Sequence, residues 1–379
     1  MTIKKLYSFL HLWLGIATGM VFVIACFTGA TLAFENEIEE LIHPSFYKNT
    51  GIAQRGNRYS LDEIFTVADR IAVPYGIKEI SINTLDDRHN YIFTTTEVKN
   101  KQLLIAINPY TKEIAGVRRE DTRFFVIMED LHRKLLMDKP GKLITGACCL
   151  AYLFVLITGL ILWWPKNAKI LKQRIKVKWD AKFKRLNWDL HSVSGFYAFP
   201  FLLIMTFTGL TWSYDWFENG IYIVLDGKLP QETKYNLSKS QNEISIQGAL
   251  SKINNEADRL LPYQGITELA LPGKKPVFSV EKRIPGWVNG KKDKLVFDAT
   301  TGSVIATFLW KDQSTGTQTR NLMKPIHTGS VFGLTGKTIA FITCVIGFSL
   351  PITGIIIWLG RKKKKKPVKK NVVKSSAFA

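Results

Sequence analysis

Four stretches of this 379-residue chain contain no Asp, Glu, Lys or Arg: Leu12–Phe34, Leu143–Pro165, Ser192–Tyr214 and Thr338–Gly360, each 23 residues long. As a helix each reaches roughly 35 Å, enough to cross a hydrocarbon layer of about 30 Å, which excludes a soluble globule. Cysteine is scarce, and Cys26, Cys148, Cys149 and Cys344 all lie inside these stretches. The polar segments 35–142 and 215–337 have none, so there is neither a disulfide framework nor a CxxC metal site. The four cysteines read as small buried apolar side chains. No P-loop, GxGxxG or His-Glu-x-x-His phrase occurs, which argues against a nucleotide site of the chain's own and against a metalloprotease.

Positive charge is plentiful, +21 net, but it is localised. Nine Lys/Arg and a single Asp lie between Lys166 and Arg185, nine more Lys/Arg between Arg361 and Lys374, and Lys4 and Lys5 precede the first apolar stretch. By contrast, residues 35–130 hold sixteen acids and twelve Lys/Arg. All three basic clusters fall on one side of the membrane, which the positive-inside rule makes the cytoplasm. They orient the protein and touch anionic lipid, so no nucleic-acid partner is expected.

The two halves repeat each other. His11 is followed by Gly15 at +4 and by Phe27-Thr28-Gly29 from +16, and His191 by Gly195 and Phe207-Thr208-Gly209 at the same offsets. His132 is followed by Gly141-Lys142 at +9, Ile157-Thr158-Gly159 at +25 and Trp163 at +31. His327 has Gly336-Lys337, Ile352-Thr353-Gly354 and Trp358 at those offsets. This is the signature of a duplicated two-span unit. It also argues that the first span is retained and not removed as a signal peptide, although Thr31-Leu32-Ala33 resembles a cleavage site.

Each polar segment carries one helix and several short strands. Ser60-Leu61-Asp62-Glu63 opens an amphipathic helix over 60–71 with a capping box, and Lys78–Asn83, Tyr91–Thr96, Leu103–Asn108 and Glu113–Val117 read as strands. In the second segment a helix covers Ile246–Leu260, followed by strands at Thr267–Leu271, Val277–Val280, Lys294–Asp298 and Ser303–Thr307. The expected fold is a membrane α-helical four-span bundle with two extracytoplasmic α+β domains.

The hairpin phrases INPYTKEIAG and FDATTGSVIAT resemble the closing strand pair of PepSY domains. Four spans with such a domain after the first and third are similar to the PepSY-associated transmembrane family, from about Leu6 to Trp358. The resemblance implies an iron-uptake membrane protein of the kind that includes di-haem ferrisiderophore reductases of the bacterial inner membrane. The expected division is span one at 1–34, a periplasmic PepSY-like domain at 35–125, an outer-face segment with span two at 126–165 and a basic cytoplasmic loop at 166–187. Span three at 188–216, a second PepSY-like domain at 217–320, an outer-face segment with span four at 321–360 and a basic tail at 361–379 complete it.

Of six histidines, His43 and His89 read as surface residues. The topology sends spans one and three outward, placing His11 and His191 at the cytoplasmic end, and places His132 and His327 at the outer end. Two imidazoles from different helices on opposite sides of a planar macrocycle are what bis-histidine haem b ligation requires, so two haem b groups are expected, with these four residues as axial ligands. Non-haem iron or zinc would need more ligands, and no carboxylate lies in any span. Gly15 and Gly195, one turn after their histidines, leave room for a ring, and Gly329 and Gly333 flank His327 similarly. His132 departs from this pattern, with Arg133-Lys134-Leu135-Leu136 after it. Trp13, Trp163, Trp164, Trp188, Trp212, Trp216 and Trp358 read as an interfacial aromatic belt. The expected activity is transfer of electrons across the membrane from an unidentified cytoplasmic or quinol donor, and the family resemblance implies a periplasmic ferric siderophore as the acceptor. The alternatives are a non-redox PepSY protein that binds or restrains extracytoplasmic proteases, and an iron or haem transporter.

Overall fold

The computed structural model describes residues 2–49, 57–98, 101–231, 235 and 246–362. The basic run after the fourth span lies, from residue 363, outside the described residues. In chain order come α1 (Ile3–Leu32), α2 (Glu35–Ile42), α3 (Pro44–Tyr47), α4 (Leu61–Ala72), β1 (Ile77–Asn83), β2 (Tyr91–Thr95), β3 (Leu103–Ile107), β4 (Ile114–Arg119), α5 (Phe124–Lys134), α6 (Asp138–Trp163) and α7 (Ala168–Arg174). Then follow α8 (Phe183–Ser213), α9 (Asp215–Asp226), α10 (Ile246–Leu260), β5 (Ile266–Ala270), β6 (Val277–Arg283), β7 (Lys292–Asp298), β8 (Val304–Phe308), α11 (Thr315–His327) and α12 (Gly333–Lys362).

Four helical segments, Ile3–Leu32, Asp138–Trp163, Phe183–Ser213 and Ser330–Gly360, are long and apolar enough to cross a membrane, and the chain is a multi-pass membrane protein. In the bundle α1 packs against α6 and α12, and α8 against the same two helices. Helices α1 and α8 therefore stand diagonally opposite. Pro200 and Pro351 lie inside α8 and α12, which continue through them. All four cysteines are free.

Before α6 the short helix α5 folds back against the span, whereas α11, before α12, packs on α8 and α9, and it is the turn between α11 and α12 that touches the start of that span. The chain leaves α5 through Leu135 and Leu136, both left-handed at φ 53° and 58°. A Cβ on Gly141 would come within 1.5 Å of the Lys134 carbonyl oxygen, so only glycine lets the two helices cross there. The Thr145 hydroxyl closes the crossing by donating to the Arg133 carbonyl at 2.7 Å. In the second half a Cβ on Gly336 would lie 2.0 Å from the Gly329 oxygen. The glycine nine residues after His132 and after His327 serves this backbone crossing. Gly329 and Gly333, at φ 74° and 58°, form the turn from α11 into α12 and are not a notch beside His327.

The sequence reads as two separate α+β domains, but the strands join in a single antiparallel sheet of order β4-β3-β2-β1-β5-β6-β7-β8. The join is β1 against β5, with Glu79 opposite Ala270 and Asn83 opposite Ile266. Each four-stranded half alone would leave this edge unpaired, and pairing removes it. Helices α4 and α10 lie on one face and share one core, in which Ile64, Phe65 and Ala68 meet Leu250, Ile253, Phe93, Phe278 and Phe297. The capping box of Ser60 and Glu63 forms as the sequence indicates. Asp62 between them does something local reading does not reveal. Its carboxylate accepts from the backbone N–H groups of Gly248 (2.8 Å), Leu250 (3.2 Å) and Ser251 (3.1 Å), capping the other half's helix.

Strand β6 runs on to Arg283, past the expected end at Val280, because Lys282 is buried and its ammonium pairs with Asp258 at 2.6 Å. A buried, paired lysine breaks the apolar alternation used to find strand ends.

Candidate functional site: two facing histidine pairs

The fold brings the four singled-out histidines together as two pairs. At the end of the bundle away from the sheet, His11 of α1 and His191 of α8 face each other with ring centres 6.3 Å apart and planes at 82°. At the sheet end, His132 of α5 and His327 of α11 stand at 6.1 Å and 75°. His11 lies 17 residues before Thr28, against which His132 rests, so the pairs are separated by roughly 25 Å along α1. The helix bearing His132 is no surface helix: it is docked into the bundle against α1 and α6.

Each histidine is received by the Thr-Gly pair of another helix. His11 Nδ1 is bonded to the Val155 carbonyl at 3.1 Å and the Thr158 hydroxyl at 3.3 Å, on α6. His191 Nδ1 meets the Leu350 carbonyl at 3.1 Å and the Thr353 hydroxyl at 3.0 Å, on α12. His132 Nδ1 meets the Ala25 carbonyl at 3.0 Å and the Thr28 hydroxyl at 2.9 Å, on α1. His327 Nδ1 meets the Thr208 hydroxyl at 2.9 Å, on α8, where the Met205 carbonyl completes the pattern. The glycine after each threonine makes room for the imidazole: a Cβ on Gly159, Gly29, Gly354 or Gly209 would stand 3.0, 3.3, 3.3 or 3.6 Å from the ring's Cε1. The Thr-Gly dipeptides are visible in the sequence as repeat markers. Their role is not, because nothing local links Thr158 to a histidine 147 positions away.

These bonds fix the chemistry of the rings. A carbonyl only accepts, so Nδ1 carries the proton. The threonine hydroxyls spend their own hydrogens on their helices, as Thr158 does on Phe154 at 2.7 Å and Thr208 on Ile204 at 2.8 Å, so they too accept from Nδ1. Nε2 is left as a bare lone pair on all four rings, the state a metal-ligating histidine needs. Burial, and then the neighbouring His132, hold His327 down to about 4, and burial likewise lowers His132, so both rings are neutral at physiological pH.

A cavity of about 240 Å3 lies between the diagonal helices and is lined by His11, His191, Gly15, Gly195, Tyr152, Phe196 and Leu350 among others. A Cβ on Gly15 would meet nothing within 4 Å, whereas one on Gly195 would reach Leu350 at 3.4 Å. Gly19, one turn after Gly15, packs instead on Pro351. Among the described residues no three of His, Cys, Asp or Glu converge as a metal site. Four tryptophans keep the belt reading, with Trp13, Trp164, Trp188 and Trp216 between 44% and 68% exposed. Trp163 does not, being 8% exposed and stacked on Phe196, and Trp212 lies edge-on to His327 at 5.3 Å. Of the remaining histidines, His89 bonds the Asp86 carbonyl through Nδ1 at 3.1 Å beside Glu40, and His43 separates α2 from α3.

An ionic cluster ties the sheet to the His132 helix. Arg123, at the start of α5, pairs with Glu35 (3.2 Å), Glu39 (3.2 Å) and Glu120 (2.7 Å), while Arg118 of β4 pairs with Glu39 at 2.7 Å. On the other half Arg320 of α11 pairs with Glu218 of α9 at 2.6 Å. Both histidine-bearing helices at the sheet end are thereby anchored at a second point.

No curated protein matches the chain. The sheet, all four paired histidines and nearly all of the four spans fall within residues 9–361, which match the PepSY-associated TM region, and the chain belongs to that family.

Proposed function

We propose that the protein is a di-haem b membrane oxidoreductase that delivers electrons across the bilayer to ferric siderophore. The observation that carries this reading is the pairing of four Nδ1-bonded imidazoles into two facing couples with free Nε2 atoms. Two imidazoles bound through nitrogen at about 2 Å on opposite sides of one metal have ring centres roughly 6 Å apart, close to the 6.3 and 6.1 Å found here. The donor set fits haem and no bare metal, since each site offers two ligands and a planar macrocycle supplies the other four. His11 and His191 would hold one group and His132 and His327 the other.

Bound haem supplies one-electron Fe(III)/Fe(II) chemistry at each membrane face, which the polypeptide lacks. The chain's own residues do the rest. Thr28, Thr158, Thr208 and Thr353 hold the imidazoles in one tautomer and orientation, and Gly15 leaves the cavity open beside His11. The apolar walls, Tyr152, Leu156 and Phe199 among them, would keep water from the His11/His191 site, the one distal to the sheet. Hard oxygen donors grip Fe(III), and reduction to Fe(II) loosens that grip, which makes a chelated ferric ion a chemically sensible acceptor. The siderophore itself rests on the family resemblance.

The same reading includes a duplicated two-span unit and a bacterial inner-membrane location. The basic loop 166–187 and both termini then lie in the cytoplasm and the sheet in the periplasm, with a cytoplasmic or quinol donor. The charge asymmetry supports this orientation.

The test is spectroscopy of detergent-purified protein, oxidised and dithionite-reduced, with haem counted per chain. About two b-type haems are expected, one lost in His11→Ala and the other in His327→Ala. With the imidazole planes near perpendicular, a low-spin Fe(III) held between them would have nearly degenerate dxz and dyz orbitals, so the oxidised, haem-loaded protein should give strongly anisotropic low-spin resonances in electron paramagnetic resonance. A colourless protein from haem-replete cells would refute the proposal and turn attention to protein partners of the sheet.

A further inference from the structure

The mouth of the distal cavity carries two donors that the histidine pair leaves unexplained. Trp163 is 8% exposed, yet its indole Nε1–H is buried with no acceptor among the described residues. Buried donors are almost always satisfied, so an orphan that lines a cavity points to what the cavity takes in. The ring cannot easily turn away, because it is stacked on Phe196 with centres 3.7 Å apart and planes within 6°. The next residue, Trp164, is 68% exposed and behaves as an interfacial tryptophan, which marks the contrast.

Arg174 of α7 is held by the backbone of Trp163 and its neighbours. Its Nη1 donates to the carbonyls of Leu162 and Trp164, both at 3.4 Å, and to that of Trp163, fastening the guanidinium to the C-terminal end of α6. Both Trp163 and Arg174 line the cavity that contains His11 and His191. Asp189, an acid at the same end of the bundle, is engaged by Arg185 at 2.9 Å. Trp163 lies five residues past Thr158, roughly 8 Å nearer the far end of α6 than the point where His11 is held. The cavity is thus apolar at its floor, nitrogen-donating at its middle and hydrogen-bond-donating with a positive charge at its mouth.

We infer that Trp163 and Arg174 receive a carboxylate of the cavity's occupant, a flat ligand with an apolar body and an acidic edge. This rests on the haem reading, since protohaem carries two carboxylates on one edge. An indole N–H and a guanidinium are both donors without acceptor capacity, so they favour an anion over a neutral carbonyl and disfavour an ammonium at that edge.

The experiment titrates full-length protein from haem-depleted cells with iron protoporphyrin IX and with its dimethyl ester, which has the same ring but no acid. Trp163→Phe and Arg174→Gln should each weaken protoporphyrin binding at one of the two sites about ten- to a hundredfold, the size of a lost charge-assisted hydrogen bond. Ester binding should change less than about twofold. Arg174→Lys, which keeps the charge but not the fork, should fall between. The reduction potential of one haem should shift in these variants while the other stays put. Equal losses for acid and ester would mean that the two residues only pack, and would overturn the inference alone. A parent protein that binds neither ring would overturn the haem reading, and this inference with it.

Discussion

The hydrogen bonds to Nδ1 are not equal, and their inequality predicts a graded response. At His327 the Thr208 hydroxyl is 2.9 Å away, whereas at His11 the Thr158 hydroxyl is at 3.3 Å and the Val155 carbonyl at 3.1 Å is the closer partner. Replacing threonine by valine removes the hydroxyl while nearly keeping the volume. In Thr208→Val the buried Nδ1–H loses its short bond and keeps only the weaker contact with the Met205 carbonyl. A poorly satisfied buried donor costs about 1–3 kcal/mol, or roughly five- to a hundredfold in retention of whatever Nε2 holds. In Thr158→Val the shorter carbonyl bond survives, so the loss should stay below about 1 kcal/mol, less than fivefold. Thr28→Val and Thr353→Val, with hydroxyls at 2.9 and 3.0 Å and carbonyls at 3.0 and 3.1 Å that remain, should fall between. The assay is haem stoichiometry of the purified variants after dialysis against a haem scavenger, with each site followed by its own reduced absorption band. Thr208→Ser should restore most of the loss, because it returns the acceptor. A Thr158→Val variant that loses more than Thr208→Val, or a Thr208→Val variant that loses nothing, would refute the claim that these hydroxyls position the imidazoles.

Two further predictions concern the scaffold. Gly141→Ala drives a methyl to 1.5 Å from the Lys134 oxygen, so the α5–α6 crossing must open. The cost should reach or exceed the upper end of the roughly 1–3 kcal/mol typical of overpacking. It should appear as a lower thermal unfolding midpoint together with loss of the His132/His327 site but not of the His11/His191 site, and equal loss at both would contradict it. Glu39 gives a pH dependence. Burial pushes its carboxyl up, but the Arg118 hydrogen bond and the charges of Arg123 and Arg118 outweigh burial and hold it below the ordinary value. A carboxyl depressed in the folded state contributes fully above its unfolded-chain value, and that contribution is lost as pH falls through the folded value. Unfolding followed from neutral pH into the acid range should therefore show a shallower acid-side loss for Glu39→Gln than for the parent protein. Parallel curves would remove Glu39 from the account.

The four spans are legible in composition because a hydrocarbon layer imposes its requirement residue by residue, about twenty apolar positions with the backbone satisfied internally. The histidine offsets, the hairpins and the Ser60–Glu63 cap are legible for the same reason, since each is a local rule. The pairing of His11 with His191 and of His132 with His327 also follows from topology, once span directions are counted. The tertiary structure decides everything that depends on which element becomes the neighbour. It joins two apparent domains into one sheet through β1 and β5 and turns Asp62 into the cap of a helix 186 residues further on. It makes receivers of Thr28, Thr158, Thr208 and Thr353, and takes Trp163 from the lipid boundary to the wall of a cavity. A hydroxyl, a carboxylate or an indole has the same sequence signature wherever it goes. Its partner is set by contacts between segments from about thirty to nearly two hundred residues apart, which no local periodicity encodes.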